Sequence, residues 1–391
     1  MTELRRLLDR GVELFEPVED VVNAVARAER RQRRRRITVG AVALAVAAAG
    51  TTALIRPFQN TTPGIGPGAS PAPTHAPTAE VATNVFHPAD LHFWDEQHGI
   101  VVGSVGANRW SATCQPDCRA EVRETTDGGA TWTTIHARPG DFGDLAAFGP
   151  SELWAQIETC APGADCDLTV LRSSDRGRTW TEFSHGARLS SMTVTARDEA
   201  WAIRTFEGGN LTRTLDGGRR WLPVPSPCPA DDPAATAVSF PTPDSGWVVC
   251  AGEAAAERQN KTLVHTTDAG SSWAVVARSA TAARIAIGTG FDDVGYAGWA
   301  MWFDERGRGV LAAGESGPSV RTLDGGRSWT PLDLAEDHFT WLTSFSFAGD
   351  AEFATVSSRA ASERYSSGVY LLRSDDGGET WGIVYSWPIE Y

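Results

Sequence analysis

Lysine is nearly missing from this 391-residue chain: of 35 basic residues only Lys261 is a lysine, and all the others are arginine. That skew fits a GC-rich genome, and no function is drawn from it. Other scarcities say more. Five Tyr and three Met stand beside 15 Trp and 39 Gly, an imbalance that points to a repeated Trp/Gly motif. Positive charge is scarce beyond the N-terminus: residues 1–36 carry +3 and residues 37–391 carry −17, which disfavours a nucleic-acid partner. There is no P-loop, dinucleotide glycine fingerprint, HExxH segment or GxSxG elbow, so the usual motif-bearing nucleotide, zinc-protease and serine-hydrolase chemistries are without support. No cofactor is implied.

Cysteine is absent from the first 113 residues; all six (Cys114, Cys118, Cys160, Cys166, Cys228, Cys250) follow. An even number confined to one part of the chain reads as a disulfide set in an exported domain. Cys114-x3-Cys118 and Cys160-x5-Cys166 lack nearby His and the tight spacing of zinc sites, so no metal is expected.

One long run, Ile37–Ile55, has no charge over nineteen residues, enough at about 1.5 Å per residue to span a hydrocarbon core of roughly 30 Å. Ten Arg precede it and one, Arg56, follows closely, which puts the N-terminus in the cytoplasm. The reading is a retained single-pass anchor in the cytoplasmic membrane; a cleaved signal peptide, with Ala47-Ala48-Ala49 at its end, is the competing one. The expected organisation is a cytoplasmic Arg-rich leader (1–36), a transmembrane signal anchor (37–55), a Pro/Ala/Gly/Thr-rich spacer (56–79) and an extracytoplasmic body (80–391).

The body contains one octapeptide six times: TTDGGATW (Thr125–Trp132), SSDRGRTW (Ser173–Trp180), TLDGGRRW (Thr214–Trp221), TTDAGSSW (Thr266–Trp273), TLDGGRSW (Thr322–Trp329) and SDDGGETW (Ser374–Trp381). Its chemistry is that of a turn. Asp127, Asp175, Asp216, Asp268, Asp324 and Asp376 accept N–H groups of the bend. The fifth-position Gly takes φ > 0, and Trp132, Trp180, Trp221, Trp273, Trp329 and Trp381 open the returning strand and pack beneath it. The third copy departs, with Arg220 in place of Ser or Thr. Before each copy runs an apolar–turn–apolar hairpin, as in Asp90–Gly103 and Ala237–Gly252. The unit is therefore strand A, B, C, box turn, strand D. Six units make an all-β, six-bladed propeller that begins on A and ends on D; a seventh blade within 275–298 is the alternative.

These octapeptides resemble the Asp-box (BNR) repeat of the sialidase-like superfamily, which includes sialidases, xyloglucan-type glycosidases, sortilin-like receptors and photosystem II assembly-factor-like proteins. The resemblance implies fold far more than function. The sialidase Phe/Tyr-Arg-Ile-Pro segment is missing, its place reading Asn84-Val-Phe-His-Pro88, and the five Tyr (296, 365, 370, 385, 391) lack a recognisable Glu partner. Arg172, Arg213, Arg321 and Arg373 recur just before boxes, which points to packing or surface roles. Chain direction puts the B–C and D–A connections on the face opposite the boxes. Pairs 114–118, 160–166 and 228–250 would brace loops there, on the expected binding face, and Asp141/Asp144, Asp292/Asp293 and Glu336/Asp337 lie there in D–A connections. The expected function is non-catalytic recognition of a protein or envelope glycan. An exported glycoside hydrolase using a carboxylate pair and a sensor coupled to a cytoplasmic regulator are the alternatives. No catalytic residue is assigned.

Overall fold

A computed structural model describes residues 85–388 apart from 107–117, 161–165, 185–187, 205–208, 256–257, 280–299, 314–317, 335–338, 340 and 359–367. The leader, anchor and spacer expected over 1–79 lie outside the described residues. No helix among the described residues is long and apolar enough to cross a membrane.

Among the described residues, twenty-four strands form six antiparallel four-stranded sheets, each made of consecutive strands. Blade 1 is β1 (Phe86–Phe93), β2 (Gly99–Val105), β3 (Arg119–Thr125) and β4 (Thr133–Pro139). Blade 2 is β5 (Asp141–Phe148), β6 (Glu152–Thr159), β7 (Asp167–Ser173) and β8 (Thr181–Ser184). Blade 3 is β9 (Leu189–Ala196), β10 (Glu199–Arg204), β11 (Asn210–Thr214) and β12 (Leu222–Pro223). Blade 4 is β13 (Ala234–Ser239), β14 (Gly246–Ala255), β15 (Arg258–Thr266) and β16 (Ala274–Arg278). Blade 5 is β17 (Met301–Phe303), β18 (Gly309–Leu311), β19 (Val320–Thr322) and β20 (Thr330–Pro331). Blade 6 is β21 (Trp341–Ala348), β22 (Ala351–Ser358), β23 (Gly368–Ser374) and β24 (Gly382–Pro388). The protein is thus the expected all-β, six-bladed propeller, starting on an A strand and ending on a D strand.

Burial follows strand order. β2 and β22, both B strands, are buried at every residue, whereas the D strand β4 has none fully buried. A strand covered on both faces reads as a continuous apolar run, which explains why the B strands lack alternation. The core lies between blades rather than within them. Six apolar clusters each join two neighbouring blades, from Val122 against Leu153 (blades 1 and 2) round to Phe353 against Phe93 (blades 6 and 1). Ring closure therefore uses side-chain packing, with no strand exchanged between the first and last blades.

A stacking unit recurs at three of these seams. Phe93 and Phe303 end their A strands, Phe240 directly follows its own, and the three lie against Gly99, Gly309 and Gly246, which open the B strands; a Cβ on any of these glycines would fall 2.4–2.6 Å from the ring. Each Phe meets its own box Trp edge-on (Trp132, Trp273, Trp329; 6.1 Å each). Its other contact is face-to-face with a B-strand aromatic of the preceding blade: Phe353 at 3.6 Å, Trp201 at 4.5 Å and Trp247 at 4.2 Å. The Phe-x5-Gly spacing that builds this unit is visible in the sequence.

Five A strands carry a β-bulge at matching depth, at Ala89, Gly143-Asp144, Ser191-Met192, Thr236 and Thr343. A bulge re-aims side chains and bends its strand; here it presents polar groups to the neighbouring A strand, and these form a belt around the axis. Val238 N–H donates to Ser191 Oγ (2.9 Å), Phe303 N–H to Ser239 Oγ (2.9 Å) and Phe93 N–H to Ser346 Oγ (2.9 Å).

Candidate binding site

The box turns are internally satisfied. In the first, Thr125 Oγ1 donates to Asp127 Oδ1 (2.8 Å) and accepts from Gly129 N–H (2.9 Å). Thr131 donates through both N–H (2.9 Å) and hydroxyl (2.6 Å) to the same carboxylate. The pattern repeats around Asp175, Asp268, Asp324 and Asp376. At Asp216 the final hydroxyl is missing, so position 220 donates through its N–H alone (2.9 Å), beside the Thr214 hydroxyl (3.0 Å). Bonds from Ser272 and Thr380 hold Asp268 and Asp376 down to about 2. These carboxylates are fully engaged in their own turns.

The arginines before the boxes pack, as their recurrence suggested. Arg172, Arg213 and Arg373 lie over Trp154, Trp201 and Phe353, at 4.7, 4.7 and 5.4 Å from the ring centroids. Arg172 also reaches Asp198 Oδ1 (3.0 Å), Arg373 reaches Glu96 O (2.9 Å), and Arg321 faces Glu352 (3.7 Å). None is free to hold a substrate carboxylate.

Disulfides Cys160–Cys166 and Cys228–Cys250 are formed. Cys118 is a buried free thiol, and Cys114, its expected partner, lies outside the described residues. Cys118 stands at the entry to β3, where its carbonyl accepts Gly140 N–H (3.0 Å). Glu158 groups with Cys160 and Cys166, but bonded sulfurs offer no thiolate to a metal.

Of the acidic pairs, Asp292/Asp293 and Glu336/Asp337 lie outside the described residues, as do Tyr296, Tyr365 and Tyr391. Asp141 and Asp144 are not in a connection; they begin β5. The D–A junction is Gly140 alone, at φ 123°, a conformation that only glycine adopts readily, so the inner strand starts earlier than its apolar residues suggest.

This shift places Asp144 on the axis. A cavity of about 470 Å³ is lined by residues of all six blades, at or beside each A strand. It reaches from the bulges (Asp90, Asp144, Ser191, Thr343) to the A–B turns (Gly149, Pro241, Asp304, Glu305). Those turns share a face with the boxes, since Gly128, Gly217 and Gly325 N–H donate to Gln97, Asp198 and Gly307 O. The described funnel therefore belongs to the box-turn side, not to the disulfide side expected to carry the site.

At its floor, Asp90 is held on both oxygens. Leu91 N–H (2.8 Å) and the Ser344 hydroxyl donate to Oδ1, and Leu145 N–H (2.9 Å) to Oδ2. Asp144, one blade on, accepts the Ser191 N–H. Burial, then the charge of Asp90, raises its carboxyl to about 7. His92 is held down to about 4 by burial and is neutral at physiological pH.

Fold and box turns together define a BNR-type propeller. The chain is similar to Ycf48 and, over part of its length, to sortilin. Residues 168–294 match the family described as Sortilin-Vps10 (sortilin, neurotensin receptor 3). The photosystem II assembly lipoprotein Ycf48 of Synechococcus sp. (strain CC9902) is 25% identical over 318 residues, 73% of this chain and 86% of that protein. A solved YCF48 bound to a D1 peptide is similar at 18% identity and TM-score 0.41, covering 77% of this chain and 81% of that one. The GH74 xyloglucanase of Xanthomonas campestris is similar at 17% identity and TM-score 0.47, over 77% and 45%.

Proposed function

We propose that this chain is a non-catalytic propeller that binds a polypeptide partner, held by its N-terminal segment to the cytoplasmic membrane with the propeller outside. The observation that carries the binding reading is the axial funnel. Every blade contributes to its wall, its carboxylates are oriented by hydrogen bonds, and a concave, pre-formed site of this size suits a peptide segment or side chain. The relationship to an assembly lipoprotein supports a protein rather than a glycan as partner. Cross-linking and capture of the full chain from its native membrane tests the reading: a specific polypeptide is expected, and capture of envelope glycan alone would overturn it. For the anchor, external protease is expected to remove the propeller from spheroplasts while a cytoplasmic marker stays intact.

A second reading is favoured by one observation. Asp144, protonated near neutrality beside Asp90, has the form of an acid and carboxylate pair of a glycoside hydrolase. Against it, both Asp90 oxygens are already bonded to the ring. Turnover of fluorogenic glycosides that is lost in Asp144→Asn would establish hydrolysis.

A further inference from the structure

The belt of inner-strand hydrogen bonds leaves one group without a role. Asp144 uses one contact on the Ser191 N–H, yet its Oδ2 is buried and has no hydrogen-bond partner. Buried polar atoms are nearly always satisfied, so an exception at a cavity wall marks a place where a ligand completes the bonding. The surrounding charge has one sign. Asp90, Asp144, Asp304 and Glu305 line the cavity, and no Lys or Arg is among its described lining residues. Asp304 is answered by Arg308 (2.7 Å) and Asp144 feels the charge of Arg188, both from outside the wall. Phe148, two-fifths exposed, and Trp302 add aromatic surface to the same wall, and ring faces attract cations.

We propose that the floor of the axial funnel is a receptor for a cationic side chain, the guanidinium of Arg or the ammonium of Lys, with Asp144 as the residue that pairs with it. This rests on the polypeptide-binding reading and names the chemistry by which the partner is held. Asp90 orients the floor rather than pairing with the ligand, because its oxygens already hold Ser344, Leu91 and Leu145. A negative, concave site walled by protein also focuses the field on an arriving cation.

The pairing is pH-dependent. Asp90 on β1 and Arg188 just before β9 act on Asp144 directly, while His92 on β1 and Asp304 and Glu305 beyond β17 line the same cavity. Burial and Asp90 raise the Asp144 carboxyl to about 7, while Ser191 and Arg188 pull the other way. His92, at about 4, stays neutral across this range. A bound cation favours the ionised carboxylate, so binding strengthens as pH rises through about 7.

The test is calorimetric titration of the full-length protein in detergent with blocked tripeptides Gly-Arg-Gly, Gly-Lys-Gly and Gly-citrulline-Gly. Above neutral pH the Arg and Lys peptides are expected to bind about 10- to 100-fold more tightly than the citrulline peptide, the worth of one charge-assisted hydrogen bond. The advantage should shrink at mildly acidic pH and vanish in Asp144→Asn. Should that variant fail to fold, a carbon-13 carboxyl titration of the unmodified protein replaces it, with the Asp144 midpoint expected to fall on adding the Arg peptide. Equal binding of the citrulline peptide, an Asp144→Asn protein that keeps the preference, or an unmoved midpoint would each overturn the assignment. A captured partner that binds Asp144→Asn unchanged removes the receptor and leaves polypeptide binding standing. Failure to capture any polypeptide removes both.

Discussion

At the residue scale, the six box aspartates and Asp144 show how one side-chain type takes opposite roles from its surroundings. A box carboxylate receives three or four donors from its own turn and is held well below its ordinary value, as at Asp268 and Asp376. Its stabilising effect is complete above the ordinary carboxylate range and is lost as pH falls toward about 2. An Asp268→Asn, Asp376→Asn double variant is therefore expected to be less stable at neutral pH and to show a shallower loss of stability below about pH 4, measured by urea unfolding across pH. The hydroxyl that opens each box is the more buried partner. Thr125→Val leaves the Gly129 N–H without its acceptor and should cost about 1–3 kcal/mol. In the third box the natural chain already lacks a hydroxyl. Arg220→Thr supplies a donor to Asp216 and is expected to raise the urea midpoint.

At the element scale, the stacking unit and the bulges differ in how far sequence reveals them. A box is legible because its bonds run within eight residues, each requiring a particular side chain. The A–B hairpins are legible from their apolar runs. The Phe-x5-Gly spacing was equally available at Phe93–Gly99, Phe240–Gly246 and Phe303–Gly309, but its purpose appears only once the preceding blade supplies the stacked ring. The bulges leave no such trace, since Ala89, Thr236 and Thr343 share no property that marks an extra residue. For that reason apolar patterning alone assigns 141 and 144 to a connection and leaves the funnel floor unmarked. The close approach of ring to glycine gives a sharp test. Gly246→Ala sets a Cβ 2.4 Å from Phe240 and should destabilise by about 1–3 kcal/mol, read by chemical unfolding, whereas the same change at Gly382, with nothing near, should be close to neutral.

At the scale of the whole molecule, stability depends on six apolar seams, and the one between blades 6 and 1 must also hold the ring closed. It does so with Phe353 stacked on Phe93, Ser344 and Ser346 bonded to Leu91 and Phe93, and Arg373 bonded to Glu96. Phe353→Ala is expected to cost about 3–5 kcal/mol. Because closure rests on that seam, the loss should also appear as faster amide exchange in β1 and β21, measured by mass spectrometry.

The seam has a further consequence. Phe86 and Trp387, near the two ends of the ring, already touch (6.3 Å between centroids), and no strand is shared across the gap. Which blade comes first is therefore a matter of where translation starts, not of architecture. A permuted gene that joins residue 388 to residue 85 through a short flexible linker, and opens the chain at Gly140, should yield the same ring.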